Sequence, residues 1–332
     1  MNAHIRIERW LACACLMLGP VLHVAHAAIP AEERDALIAL YASTNGDAWV
    51  NNSNWCAGAC PSSGEPVFDD PGTECGWAGI GCDGAQTHVT SIVLFHNNMI
   101  GPLPPSLSAL AALQVLDLDN DGLLGPMPDL AGLAELQILD VHQNDIDGPM
   151  PALSGATSLQ TVRLFGNHFS GPLPDLSGLT QLATFLAYSN DFTGPIPDLA
   201  DLVALQEFAV HDNALTGPIP SLDGLAALVT FDVEHNQLSG AIPDLSGLSS
   251  LLAFRVGDNR LTGVVPAFPQ NSGGAPSSLC PNPLDTTPGP NDADWDTHTG
   301  YTPWWATPYA NNLCDDIFTD AFDAAAARRA MD

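Results

Sequence analysis

Leucine returns every 23 residues along most of the chain, at Leu113, Leu136, Leu159, Leu182, Leu205, Leu228 and Leu251. One supersecondary unit repeated at constant period predicts a solenoid, whose units bury their apolar faces only against their neighbours. The common form is LxxLxLxxNxLxGPxPxLxxL, seen in Leu136 through Pro151. Its alternating apolar positions, such as Leu139 and Val141, predict a short strand. An asparagine follows at Asn97, Asn144, Asn167, Asn190, Asn213, Asn236 and Asn259, with Asp121 as the one replacement. A buried amide both donates and accepts, so stacked asparagines satisfy backbone groups where the chain bends. The Gly-Pro-x-Pro segment then turns the chain, because proline fixes φ and removes a donor. Asp129, Asp175, Asp198, Ser221 and Asp244 come next and suit the N-cap of a short helical turn.

The flanks break this period and divide the chain. Residues 1–28 read as a signal peptide: a basic start at Arg6 and Arg9, an apolar run from Trp10 to Leu22, and the small-x-small site Ala25-His26-Ala27. Residues 29–88 form an N-terminal cap, with a helical segment around Leu37, Leu40 and Tyr41 and an aromatic plug of Trp49, Trp55 and Trp77. Eight repeats occupy 89–266. Residues 267–332 form a C-terminal cap and tail, rich in Trp295, Tyr301, Trp304, Trp305 and Tyr309. Without the signal, six cysteines remain, all in the caps. An even number in an exported chain reads as disulfides: Cys75 with Cys82, Cys56 with Cys60, and Cys280 with Cys314. Zinc is the rival reading, but the spacings lack two close CxxC pairs.

The net charge is −30 and the chain has no lysine. Phosphate binding needs clustered lysine or arginine, so nucleic acid is excluded as a partner class. A basic partner or divalent cations fit the long-range field, and solubility outside the cell is the plainer reading of the same charge. No segment after the signal is long and apolar enough to insert in a membrane.

These repeats resemble leucine-rich repeats of the plant-specific class, with consensus LxxLxLxxNxLxGxIP; Leu205 through Pro220 and Leu228 through Pro243 match best. The segment Cys75-Gly-Trp-Ala-Gly-Ile-Gly-Cys82 resembles the cap element of plant receptor-kinase ectodomains and polygalacturonase-inhibiting proteins. The resemblance covers roughly residues 32–266. It implies an α/β repeat solenoid, a right-handed leucine-rich repeat superhelix with short parallel strands on the concave face and disulfide-closed caps. The period here is 23 instead of the usual 24, and Cys56 and Cys60 are extra. With the aromatic, cysteine-bearing tail, the nearest likeness is to exported bacterial proteins with plant-type repeats, a plant inhibitor being the alternative. The resemblance is specific for fold and weak for function.

In this family, outward strand residues on the concave face contact ligands. Strand alternation gives one outward column of Phe95, Asp119, His142, Phe165, Tyr188, His211, Glu234 and Gly257. A second holds Val93, Asp117, Asp140, Arg163, Leu186, Ala209, Asp232 and Arg255. At about 4.8 Å per strand, a column spans roughly 35 Å. The centre is aromatic and apolar, and its flanks are acidic. The candidate ligand-binding residues are therefore His142, Arg163, Phe165, Leu186, Tyr188, His211, Asp232 and Glu234.

His211, Asp212, Asp232, Glu234 and His235 also form a plausible metal or acid/base set, but on an open sheet without the enclosure catalysis usually needs. No G-x-S-x-G, HExxH or phosphate loop occurs. The expectation is a monomeric, non-enzymatic recognition protein, secreted or held at the periplasm or cell surface, without cofactor or metal. Its partner is a protein or peptide; the alternatives are an adhesive protein that binds cell-wall polysaccharide, with calcium at the acids, and more remotely a hydrolase using Asp232, Glu234 or His211.

Overall fold

The computed structural model describes residues 28–58, 60, 66–269 and 276–305. The signal-like segment up to residue 27, Tyr309, Cys314 and the tail lie outside the described residues. Repeats stack into a solenoid whose principal sheet has nine strands, one from each successive coil. Ile80–Cys82 pairs antiparallel with Val89–Val93. Every later neighbour is parallel: Val115–Asp117, Ile138–Asp140, Thr161–Arg163, Thr184–Leu186, Glu207–Ala209, Thr230–Asp232 and Ala253–Arg255. Among the parallel strands the register never slips, so Arg163, Leu186, Ala209 and Asp232 stand opposite one another. This zero offset turns a sequence period into columns of side chains.

The core is the leucine set, with Leu113, Leu136, Leu159, Leu182, Leu205, Leu228 and Leu251 fully buried. Phe185, Phe208, Phe231 and Phe254 add a buried ladder with ring centroids 5.4–5.6 Å apart. At the bend after each strand the asparagines act as expected. Asn190 donates from Nδ2 to the carbonyls of Leu164, Ala187 and Tyr188, and its Oδ1 accepts from the Phe169 amide at 3.0 Å. Each such side chain thus ties its own coil to the preceding one. Asp121 makes only the accepting half. Its Oδ1 takes the Asn97 and Met99 amides at 2.8 and 2.9 Å, while Oδ2 is buried without a hydrogen-bond partner.

Two features depart from the sequence expectation. The Asp positions of the outer side cap turns instead of helices: Asp129, Asp175, Asp198 and Asp244 each accept the amide two residues on, at 2.9–3.0 Å. With only a few residues between proline and the next leucine, a hydrogen-bonded turn fits where a helical turn does not. A second row of short strands precedes these turns, ending in glycines such as Gly194 and Gly217 at φ 77° and 82°, which a side chain would strain. The asparagine ladder also runs one coil past residue 266. Asn282 is fully buried, donates to Val256 and Leu279 and accepts the Leu261 amide at 2.8 Å. The sequence signal was Leu279-x-x-Asn282-x-Leu284, a fragment of the repeat.

Both ends are closed by aromatics. Trp49, Trp55 and Trp77 are buried, with Trp55 4.7 Å from Trp77 and 5.1 Å from Trp49. They pack with the helix Ala31–Ser43 through Tyr41. Gly101 (φ 135°) meets the end of this helix, where a Cβ would lie 2.1 Å from the Ser43 carbonyl. Disulfides Cys56–Cys60 and Cys75–Cys82 staple this cap. At the far end, Trp295 of the helix Asp292–Thr299 meets Phe254 edge-on at 6.1 Å, covering the last ring of the buried ladder. Cys280 is disulfide-bonded, and Cys314, its expected partner, lies outside the described residues. Among the described residues no helix is long and apolar enough to cross a membrane.

Candidate ligand-binding face

In-register strands place one residue of each repeat directly over the next, and on the first outward column four consecutive residues carry rings. His142, Phe165, Tyr188 and His211 form one continuous stack. Ring centroids are 4.2, 4.4 and 4.3 Å apart, and successive planes differ by 23°, 10° and 12°. All four are half-buried. Because the faces are used against one another, the stack presents ring edges to solvent, where the quadrupole is positive. The Tyr188 hydroxyl is pushed up in pKa by burial and by the charge of Glu207.

Carboxylates hold the two ends. His142 Nδ1 lies 2.6 Å from Asp140 and Nε2 3.1 Å from Asp119. His211 Nδ1 lies 2.8 Å from Asp212. Burial alone lowers the His211 pKa, but the Asp212 hydrogen bond and the charges of Asp232, Asp212 and Glu234 outweigh it, so the net direction is upward. His235 sits between Asp212 and Asp258, at 3.4 and 3.7 Å.

The second column is governed by cross-strand pairing. Arg163 stands opposite Asp140 and Arg255 opposite Asp232, and each pair meets at 3.1 Å. Lateral pairs of opposite charge stabilise a sheet and leave little of either group for a ligand. Asp117, next along from Asp140, has no such arginine. Its Oδ1 is buried without a hydrogen-bond partner, and burial together with Asp140 and Asp119 pushes its pKa up to about 6.

The acidic flank toward the C-terminus is covered. The segment from residue 276 crosses the end of the groove, where Ser278 donates to Glu234 and the Pro276 carbonyl accepts from Arg255 at 3.1 Å. Gly257, last of the first column, faces the Cys280 carbonyl so closely that a Cβ would lie 2.6 Å from it. Glu234 is accordingly raised in pKa, first by burial. Asp232 is only 6% exposed and engaged by Arg255, so it is not the outward-presented carboxylate the column implied. The structure therefore brings together His142, Phe165, Tyr188 and His211, sets Arg163 and Leu186 beside them, buries Asp232 against Arg255 and covers Glu234 with the C-terminal segment. Among the described residues no group of three or more His, Cys, Asp or Glu side chains is disposed to hold a metal.

Three exposed residues stand outside the candidate set: Phe95 and Val93, which the outward columns included, and Glu207, which they did not. Phe95 is 51% exposed and Val93 lies next to it, extending the apolar strip toward the N-terminus. Glu207 belongs to a third outward column with Thr161, Thr184 and Thr230. That column was readable from the same alternation, one position before each buried strand residue.

No family model matches the chain. Among solved structures it is similar to the leucine-rich-repeat ectodomain of the receptor kinase GASSHO1/SCHENGEN3 from Arabidopsis thaliana in complex with CASPARIAN STRIP INTEGRITY FACTOR 2, with 23% identity and TM-score 0.61 over 80% of this chain and 34% of that one. It is also similar to the plant peptide hormone receptor RGFR1 in complex with RGF2, with 27% identity and TM-score 0.52 over 58% of this chain and 36% of that one. The complex of PEPR1 with AtPEP1 matches at 22% identity and TM-score 0.50, over 76% and 42%. The chain spans between a third and a half of the length of these structures. The repeat, the asparagine ladder and this likeness agree: the fold is that of plant-type leucine-rich-repeat ectodomains.

Proposed function

We propose that this protein is a non-enzymatic recognition protein that binds a peptide or an extended protein segment across its concave face. The observation that carries the reading is the ring stack from His142 to His211. Aromatics fixed on a rigid sheet are what interface hot spots are made of, and this one is locked by zero register offset. The receptor RGFR1, similar in fold, is a peptide hormone receptor solved with RGF2, which supports the same class of ligand here. Paired cysteines fit an oxidising compartment and hence an extracellular or periplasmic site of action.

Panning a displayed random peptide library against the purified protein tests this. The expected result is a set of peptides retained by the wild type and lost on Phe165→Ala/Tyr188→Ala, with unfolding of the variant still cooperative. Equal retention by both proteins overturns the site. Retention on insoluble cell-wall glycans instead, sensitive to a chelator, favours the adhesive reading.

A further inference from the structure

Resting on that reading, we propose that the occupant of the ring stack is a basic peptide whose arginine side chains reach carboxylates at both ends of the strip. The first observation is a charge imbalance within the sheet. The two arginines on its strands, Arg163 and Arg255, are each held by an aspartate at 3.1 Å. Asp117 at one end stands opposite Asp140 with no arginine of its own, His142 being the cation near it, and its Oδ1 is buried without a hydrogen-bond partner. Glu207 is exposed at the other end, on the strand that pairs with Thr184–Leu186 of the Tyr188 coil.

The second observation is what lies between. Between its terminal imidazoles the stack is apolar, and the edges of Phe165 and Tyr188, with Leu186 beside them, carry no charge to compete with the acids. A ligand that is apolar in the middle and cationic at its ends covers the rings and neutralises both flanks. Arginine suits this better than lysine, because its guanidinium is more weakly hydrated as it reaches past the aromatic rings.

Geometry sets the ligand's spacing. Four strand steps separate Val115–Asp117 from Glu207–Ala209, about 19 Å at the usual inter-strand distance. An extended chain rises about 3.3 Å per residue, so the two arginines belong roughly six positions apart. Long-range attraction comes from the net charge of −30.

Fluorescence polarisation with labelled synthetic peptides decides it. The probes share an apolar centre and carry two arginines six apart, two glutamates at those places, or two alanines; a fourth carries adjacent arginines. The expected result is at least tenfold tighter binding of the six-apart arginine peptide than of the alanine peptide. The advantage shrinks at high salt and is lost in Asp117→Asn/Glu207→Gln, whose affinity for the alanine peptide is unchanged. Neither substitution removes a packed group, so folding is retained. Equal affinity for the arginine and alanine peptides, or an advantage that survives the double substitution, overturns the proposal while leaving peptide recognition standing. Equal affinity for the adjacent-arginine peptide overturns the two-ended spacing. Failure of all four peptides to bind overturns the underlying reading and this proposal with it.

Discussion

Two aromatic ladders run along this solenoid, three residues apart in the two repeats they share, and they are built differently. The inner one, Phe185 to Phe254, is wholly buried, its rings 5.4–5.6 Å apart, and it ends against Trp295. The outer one, His142 to Tyr188 to His211, is tighter at 4.2–4.4 Å and ends in imidazoles held by carboxylates. The inner positions are apolar in every repeat, since each strand must bury one side: Leu116, Leu139 and Val162 precede the phenylalanines. The outer positions are under no such demand, and elsewhere in the column they are Asp119, Glu234 and Gly257. Stacking a ring on that side is therefore a choice the fold does not impose, and so it is where function is to be sought.

The sharpest test of this contrast is a matched pair of truncations. Phe208→Ala should destabilise by about 3–5 kcal/mol, the usual cost of emptying a large buried aromatic site. Phe165→Ala removes a half-buried ring with two stacked neighbours and should cost about 1–2 kcal/mol. Denaturant unfolding of both variants measures the difference. Similar losses would make the outer ladder a second piece of core and remove the case for a ligand there.

Two residues past the outer ladder run the asparagines, and here the expected loss is of the same kind as for Phe208 but smaller. Asn190→Ala leaves several backbone groups of the Leu164, Ala187 and Tyr188 turns unpaired in a buried bend. At about 1–3 kcal/mol for each unsatisfied group, and with some replaced by water, the net loss should be about 3 kcal/mol in the same assay.

How far the sequence anticipates this arrangement depends on the range of each interaction. The leucines, asparagines and outward columns were legible because each depends only on position within a repeat and on zero offset between neighbours. The tie between Arg163 and Asp140 was legible in principle, as the two stand one period apart. So was the tie between Arg255 and Asp232, which buries Asp232 as Arg163 buries Asp140. The covering of Glu234 was not: it arises because Ser278 returns over the last coil from a segment outside the 23-residue period. The outer turns were misread as helical for a local reason: Asp caps a turn and a helix by the same hydrogen bond to an amide two residues on.

Asp121 offers a gain instead of a loss. It occupies the asparagine position without a donor, and burial raises its pKa. A carboxyl whose folded pKa lies above the unfolded one stabilises the fold relatively at low pH and penalises it as pH rises through the folded value. Asp121→Asn restores the donor, so it should stabilise by about 1 kcal/mol at neutral pH. That advantage should fade toward the unfolded carboxyl value of about 4, as Asp121 in the wild type takes up its proton. Melting curves from pH 4 to 7.5 measure it; a pH-independent advantage would show that ionisation of Asp121 is not the cause.

The smallest effect concerns His211, at the end of the outer ladder. Its net shift is upward, from Asp212 and the charges behind it, so the imidazolium is favoured by folding. The sign is then opposite in consequence to loss of a depressed carboxyl: the contribution is complete below the unfolded histidine value of about 6.5 and disappears as pH rises through the folded value. His211→Gln should therefore be less stable than the wild type near pH 6 and converge with it above pH 8. Binding should move the other way, because a charged imidazole at the end of the stack repels an arginine-bearing peptide. The wild type should bind such a peptide more weakly at pH 6 than at pH 8, and His211→Gln should reduce that dependence without abolishing it, because Asp117, raised to about 6, takes up a proton over the same range. A pH profile unchanged by the substitution would place the end of the ligand-binding strip short of His211, at Tyr188.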